Sequence, residues 1–231
     1  VSNASPANVE ISLWRLDRTA QDLARLRGVL SSEERARADR FVRPSDRERW
    51  TVSRAGLRIL LGRKLGAGPA EIVFTEEVNG RPALAGAVNL SFNLSHSANV
   101  AALATSSDAR VGVDVEEIRP ITDDEIAWAL SAAERIELSG GDPAARLERF
   151  FKFWTLKEAL MKGTGLGAQL PLQDFDMSLN PPRLVRFKDE SKAPGQWNFH
   201  DIAPQPGMRG AVAVRTEGRA LAASWTWVEI G

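Results

Sequence analysis

The chain predicts an α+β fold of two similar lobes, and two features carry that reading. Each half runs through helical segments before returning to strands, and the halves join near residues 109–113. No internal self-similarity at a period of roughly 20–50 residues appears, so a repeat array is excluded. With 231 residues the chain is long enough for one large unit or two small ones sharing a core.

Residues 9–16 alternate loosely and read as a first strand. Residues 22–30 and 32–41 read as helices, with Ser32 as N-cap of the second and acids in the turn that follows. Residues 46–65 form a longer helix whose apolar set includes Trp50, Leu57, Leu60 and Leu61, and Gly66 ends it. Short strands follow near 72–74, 90–94, 100–105 and 111–115. Helices recur at 123–130, 132–138 and 143–163. The tail returns to strands around 184–187, 197–200, 210–215 and 220–228. The lobes therefore divide as residues 1–110 and 111–231.

Hydrophobic residues at 43% and charged residues at 26% are ordinary for a folded soluble protein. No apolar run approaches the ~20 residues of a membrane helix, so no membrane association is expected. Residues 1–6 carry neither a basic region nor a hydrophobic stretch, and no secretory signal is expected there. The absence of cysteine removes disulfides, thiolate metal sites and cysteine nucleophiles, which makes a cytoplasmic protein the expectation. A formal net charge of zero hides an asymmetry. Between Arg15 and Lys64 there are fourteen Lys and Arg against seven Asp and Glu. Such a half suits a polyanionic ligand, although solvated helix faces give the same count.

Three constellations could carry chemistry. In Val111-Gly112-Val113-Asp114-Val115-Glu116 a strand would turn the valines one way and Asp114 and Glu116 the other. Two carboxylates about 6–7 Å apart on one face repel unless a positive group lies between them. A hard cation held by oxygens would serve, and a solvated acidic face is the alternative. The second is the aromatic run from Phe150 to Gly163, where Trp154, Glu158 and Lys162 are spaced at four along one helix ridge. That spacing also describes an ordinary surface ion pair, but within an aromatic run an idle charge would be costly. The third is Phe92-Asn93-Leu94-Ser95-His96-Ser97, where imidazole and hydroxyl could hydrogen-bond a phosphate or serve structure alone. Gly163-Thr164-Gly165-Leu166-Gly167 follows a helix rather than a strand, so it is no dinucleotide fingerprint. His200 has no second histidine at zinc-ligand spacing, and neither a phosphate loop nor a nucleophile elbow is present.

Taken in order, these segments resemble the surfactin-type phosphopantetheinyl transferases. That family pairs a G-[IV]-D-[IV]-E strand with a W-x-x-K-E-[AS]-x-x-K helix, and the pair is far more specific than either motif. Here they read Gly112 to Glu116 and Trp154 to Lys162. The family's F-N-x-S-H-S appears as Phe92 to Ser97, its G-[KR]-P as Gly80-Arg81-Pro82, and its arginine-rich helix ending in R-F as Arg35 to Phe41. The likeness spans roughly residues 32–176.

The resemblance implies two lobes related by pseudo-twofold symmetry, each a small, mainly antiparallel sheet packed with helices. It implies transfer of the 4′-phosphopantetheine arm of coenzyme A to a serine of an acyl or peptidyl carrier protein. By that likeness Asp114, Glu116 and Glu158 hold Mg2+, and Glu158 is the general base, directly or through a water. Ser95, His96 and Lys162 contact the coenzyme A phosphates. Arg37 and Arg49 belong to the 3′-phosphate pocket, and Arg81 lies near the adenine. Glu34 stands where some relatives carry a phosphate-binding lysine, so that pocket is expected to be assembled differently. Glu134 matches a family acid of less settled role. A monomer that binds no nucleic acid is expected, with the carrier docking on basic and apolar surface near the lobe junction. A metal-dependent phosphodiesterase and a non-catalytic binding module are the competing classes.

Overall fold

In the computed structural model, residues 5–188 and 194–230 are described. Of the N-terminal stretch read for a signal, residues 1–4 lie outside that range. The first half runs β1 (Ala7–Arg15), α1 (Ala20–Gly28), α2 (Ser32–Ala38), α3 (Pro44–Leu65), β2 (Phe74–Glu76), β3 (Pro82–Leu84), β4 (Ser91–Ser97) and β5 (Val100–Ser106). The second half continues with β6 (Arg110–Glu117), α4 (Asp123–Ala129), α5 (Ala132–Leu138), α6 (Pro143–Thr164), β7 (Phe175–Leu179), β8 (Pro182–Phe187), β9 (Trp197–Ile202), β10 (Met208–Arg215) and β11 (Leu221–Trp227). The fold is the expected α+β arrangement of two lobes.

A four-stranded sheet of order β11-β1-β5-β4 belongs mainly to the first half, and a three-stranded sheet of order β6-β10-β9 to the second. All pairings in them are antiparallel except β1 with β11, which are parallel. The C-terminal strand thus leaves its own half to extend the other half's sheet. Two small hairpins, β2-β3 and β7-β8, complete the strands.

Alternation along the strands builds three apolar layers. Val9, Ile11 and Leu13 of β1 and Val100, Ala102 and Ala104 of β5 meet Val111, Val113 and Val115 of β6 and Val212 and Val214 of β10 between the sheets. Trp14, Ala101 and Leu103 face the opposite way, onto Val52, Leu57 and Leu61 of α3. Ala211 and Ala213 face α6, which contributes Phe150, Phe153, Leu156 and Leu160. Both sheets are therefore covered on both faces, which explains why β5 is buried along its whole length.

The two halves repeat one set of local devices about one hundred positions apart. Ser31 and Ser131 each close a capping box with the glutamate three residues on, Glu34 and Glu134. Each long helix has 22 residues, opens on a proline and ends at a glycine of positive φ, Gly66 at 66° and Gly165 at 74°. The sequence reading placed the α2 cap at Ser32. The structure moves it to Ser31, because only from there does the third helical residue, Glu34, reach back to the cap nitrogen at 2.9 Å. That helix also ends at Ala38 rather than Phe41, where the Arg27 guanidinium holds Asp39 at 2.8 Å and 3.0 Å.

What joins the lobes is a row of side chains. β4 and β6 lie side by side in the same direction, yet neither is the other's backbone partner. Instead the amides of Val111, Val113, Val115 and Glu117 donate to Ser91 Oγ, Asn93 Oδ1, Ser95 Oγ and Ser97 Oγ at 3.3, 2.8, 3.4 and 3.1 Å. Every second residue of β4 is thus polar because it satisfies a β6 amide that would otherwise be an unpaired edge donor. On its other side β6 carries Gly112 against α6, where a Cβ would overlap the Ala159 carbonyl oxygen and the Gly163 nitrogen. Gly112→Ala must push α6 off the strand. It is expected to cost about 2–3 kcal/mol of stability, read by urea unfolding, because overpacking at a rigid backbone contact has no cheap relief.

Candidate active site

The seam between the lobes places the sequence-predicted residues. Alternation turns Asp114 and Glu116 of β6 toward α6, and the close Gly112 contact brings the helix near enough for its side chains to reach them. Asp114 is 1% exposed. Lys162 Nζ donates to its Oδ1 at 2.6 Å and to Ser95 Oγ at 3.0 Å, and the Ser95 hydroxyl donates to the same Oδ1 at 3.0 Å. Ser97 donates to Glu116 Oε2 at 2.9 Å, and the Trp154 indole donates to Oε1 at 3.4 Å. The Ser95 and Ser97 hydroxyls therefore work twice, accepting from β6 amides and donating to β6 carboxylates.

The electrostatics follow from this crowding. Burial and the Asp114 charge raise the Glu116 carboxyl above its ordinary range, against the opposing pull of Ser97 and Lys162. Glu158 is raised for the same reasons, burial first and Asp114 second, and its carboxylate accepts no hydrogen bond from the protein among the described residues. Burial works against the Lys162 charge, but Asp114, Glu158 and Glu116 outweigh it and raise the ammonium's pKa. His96 stands exposed at the mouth of the site. Desolvation by the cleft walls holds its imidazole below the ordinary range, reinforced by the Lys162 and Arg49 charges. A neutral imidazole, an ammonium and three acids thus share one seam.

The sequence suggested a cation between the acids. Among the described residues no three His, Asp or Glu side chains converge at metal-ligand distance. Lys162 is the positive group that lies against Asp114 instead. One observation still fits a metal: Asp114 Oδ2 is buried and has no hydrogen-bond partner. An acceptor-only oxygen left unsatisfied beside two further carboxylates matches what a hard cation binds.

Beyond His96 a cleft of about 460 Å³ opens between α2, α3 and the β2-β3 hairpin, lined among others by Arg37, Arg40, Ser53, Arg54 and Phe74. Arg37 lies over the Trp50 ring at 5.6 Å, and Arg54 over the Phe74 ring at 4.0 Å. Arg49 lines a neighbouring groove with Arg18 and Ser45, although its charge reaches His96. Glu34 sits in the cleft wall as the capping-box acid, bound by Arg54 and Arg58 at 2.5 Å each. Arg81 donates to the Phe92 and Val111 carbonyls at 2.9 and 2.7 Å and so bridges β4 to β6. Burial first, then Arg110, lowers its pKa to about 10. Of the residues marked from sequence, Ser95, His96, Asp114, Glu116, Glu158 and Lys162 gather at the seam, Arg37 lines the cleft, Arg49 lines the neighbouring groove, and Arg81 is turned onto the Phe92 and Val111 carbonyls.

Sequence reasoning missed Arg40, Ser53, Arg54 and Phe74, whose convergence depends on how α2, α3 and the hairpin meet. It also left Asn93 and Ser97 without a role. A signal for those two was present in the polar residues at every second position from Ser91 to Ser97.

The family model for the 4′-phosphopantetheinyl transferase superfamily matches residues 110–223, and that for the 4′-phosphopantetheinyl transferase N-terminal region matches residues 14–108. The chain is 36% identical over 212 residues to the 4′-phosphopantetheinyl transferase HetI of Nostoc sp., covering 89% of this chain and 87% of that relative. It is 26% identical over 189 residues to Sfp of Bacillus subtilis, covering 81% and 83%. With AcpT of Escherichia coli it shares 40% identity over 123 residues, covering 52% and 58%. With both halves matched and a relative 36% identical over most of both chains, the chain belongs to the 4′-phosphopantetheinyl transferase superfamily.

Proposed function

We propose that this protein transfers the 4′-phosphopantetheine arm of coenzyme A to a serine of an apo acyl or peptidyl carrier protein. The carrying observation is the seam itself: Lys162 Nζ, 2.6 Å from Asp114 Oδ1 and 3.0 Å from Ser95 Oγ, on the same helix face as an unbonded, raised-pKa Glu158. The serine Oγ attacks the β-phosphorus of coenzyme A. The bond from that phosphorus to the bridging oxygen breaks, and adenosine 3′,5′-bisphosphate leaves. Glu158 accepts the serine proton, directly or through a water. Lys162 and His96 donate to phosphate oxygens, and the Lys162 contact strengthens as charge builds on the leaving group. Asp114 through Oδ2, Glu116 and Glu158 are the residues that would hold Mg2+. When bound, the ion supplies positive charge that offsets pyrophosphate beside carboxylates. Arg37 in the cleft wall, with Arg49 beside it, supports recognition of the 3′-phosphate.

Incubation of the protein with coenzyme A, Mg2+ and a panel of apo-carriers, read by intact mass, tests the reading. The carrier should gain one phosphopantetheine per chain, and without a carrier coenzyme A should be consumed orders of magnitude more slowly. Fast release of adenosine bisphosphate without a carrier would instead make the protein a hydrolase. Glu158→Gln should lower kcat about 10²–10⁴-fold, the range of a lost general base. Removing Mg2+ with a chelator should stop transfer, and full activity in chelator would overturn the metal assignment.

Recognition of the 3′-phosphate gives a separate test. Dephospho-coenzyme A should show a distinctly higher KM than coenzyme A, and Arg37→Ala should narrow that gap. An unchanged ratio in Arg37→Ala and in Arg49→Ala would place the 3′-phosphate elsewhere.

A further inference from the structure

The residue before Glu158 is a lysine that the proposed reaction does not use. Lys157 is 0% exposed. Its ammonium pairs with Glu134 Oε2 at 2.6 Å and donates to the Leu172 and Phe175 carbonyls at 2.5 and 2.9 Å, with the Phe175 ring 4.7 Å away. Three donors meet three acceptors, and none is left over. Glu134 is equally occupied: Oε2 also accepts the Ser131 amide at 2.9 Å, and Oε1 accepts the Met177 amide at 2.8 Å. This network ties α5, α6 and the chain from Leu172 to Met177 together at one point.

The first half holds its counterpart. Arg58 occupies the place in α3 that Lys157 occupies in α6, counted from the opening proline. It reaches Glu34 Oε2 at 2.5 Å and donates to the Pro69 and Ile72 carbonyls at 3.0 and 2.9 Å. Each long helix is thus held by a buried cation that grips a capping-box glutamate and two carbonyls of the segment after the helix.

We propose that Lys157 and Glu134 are positioning residues for the proposed transfer, fixing the rotation of α6 so that Glu158 and Lys162 face Asp114. The apolar bed of α6 is non-directional, and the directional contacts on its β6 side, Lys162 to Asp114, Trp154 to Glu116 and Arg110 to the Gly163 carbonyl, hold that face alone. A buried ion pair adds little stability over an apolar pair of the same volume, so its distinctive contribution here is direction. A carboxylate lies ~6 Å from a helix axis, so a turn of about 20° moves it ~2 Å. That exceeds the roughly 0.5 Å tolerance of a working site several-fold. The Arg58–Glu34 pair does the same for α3 and hence for the cleft wall that carries Arg37.

This inference rests on the transferase reading, and paired double variants separate the two. Lys157→Met with Glu134→Met removes both charges together and leaves no orphaned ion. It should lower Tm, because the Leu172 and Phe175 carbonyls and the Ser131 and Met177 amides lose their partners, while kcat of the folded protein falls tenfold or more, with KM for coenzyme A within twofold. Arg58→Met with Glu34→Met should instead raise KM for coenzyme A and change kcat less. A purely structural role would make both pairs act on Tm alone, so wild-type kcat in a folded Lys157/Glu134 variant overturns the proposal. If that variant does not fold, Lys157→Arg, which keeps the charge in a different fork, should fold and still lose kcat; wild-type kcat there has the same overturning force. If the wild type transfers nothing, the transferase reading fails on its own. The clamp is then judged by amide hydrogen exchange, which the Lys157/Glu134 variant should speed more than tenfold in α6 but not in α3. Unchanged α6 exchange would sink it.

Discussion

The structure depends on a seam that is stitched by side chains rather than by backbone. β4 and β6 are each the edge of a sheet, and two such edges laid together would either fuse into one sheet or leave donors unpaired. The alternate residues Ser91, Asn93, Ser95 and Ser97 resolve this by accepting the amides of β6. Because two of these acceptors are hydroxyls, Ser95 and Ser97 also donate to Asp114 and Glu116. The element that joins the lobes is therefore the element that aims the acids.

Concentrating three carboxylates at a half-buried seam is unfavourable unless charge is supplied. Lys162 supplies part of it, and its raised pKa records how much the surrounding acids stabilise the ammonium. Glu116 and Glu158 are pushed up first by burial and then by the Asp114 charge, which one lysine does not offset. The residual negative potential, with Asp114 Oδ2 left without a donor, is the feature that makes the seam receptive to a cation. An anionic substrate would otherwise be repelled, so acids at the proposed phosphate site make sense only alongside positive charge.

How much of this was legible in the sequence varied with the range of the interaction. The strand of Asp114 and Glu116 and the ridge of Glu158 and Lys162 were readable because their periodicities are local. Their meeting across the seam was not, since it depends on Gly112 facing Gly163, which stand apart in the chain. Short strands escaped for a different reason: β3 and β7 are three and five residues long, too short for alternation to register. The helix cap was displaced by one residue because Ser31 and Ser32 are both acceptable caps, and only Glu34 closing the box distinguishes them. Glu34 was noticed as a departure from the phosphate-binding lysine that some relatives carry. Its partners Arg54 and Arg58 lie in the next helix, 20 and 24 residues on, so the ion pairs that explain it had no local signal.

The repeated devices also account for the hidden charge asymmetry. Both halves carry a capped short helix, a proline-opened long helix and a buried cation on the cap glutamate. The scaffold is the same, but the faces have diverged. In the first half α2 and α3 turn Arg37, Arg40 and Arg54 into a cleft, whereas in the second β6 and α6 turn Asp114, Glu116 and Glu158 into the seam. A basic wall and an acidic, lysine-bearing wall meet at His96. A net charge of zero is the sum of two opposed local fields, and a ligand with several phosphates can span both only if a cation mediates on the acidic side. The two halves share their local frame, and their inward-facing side chains give each half a different charge.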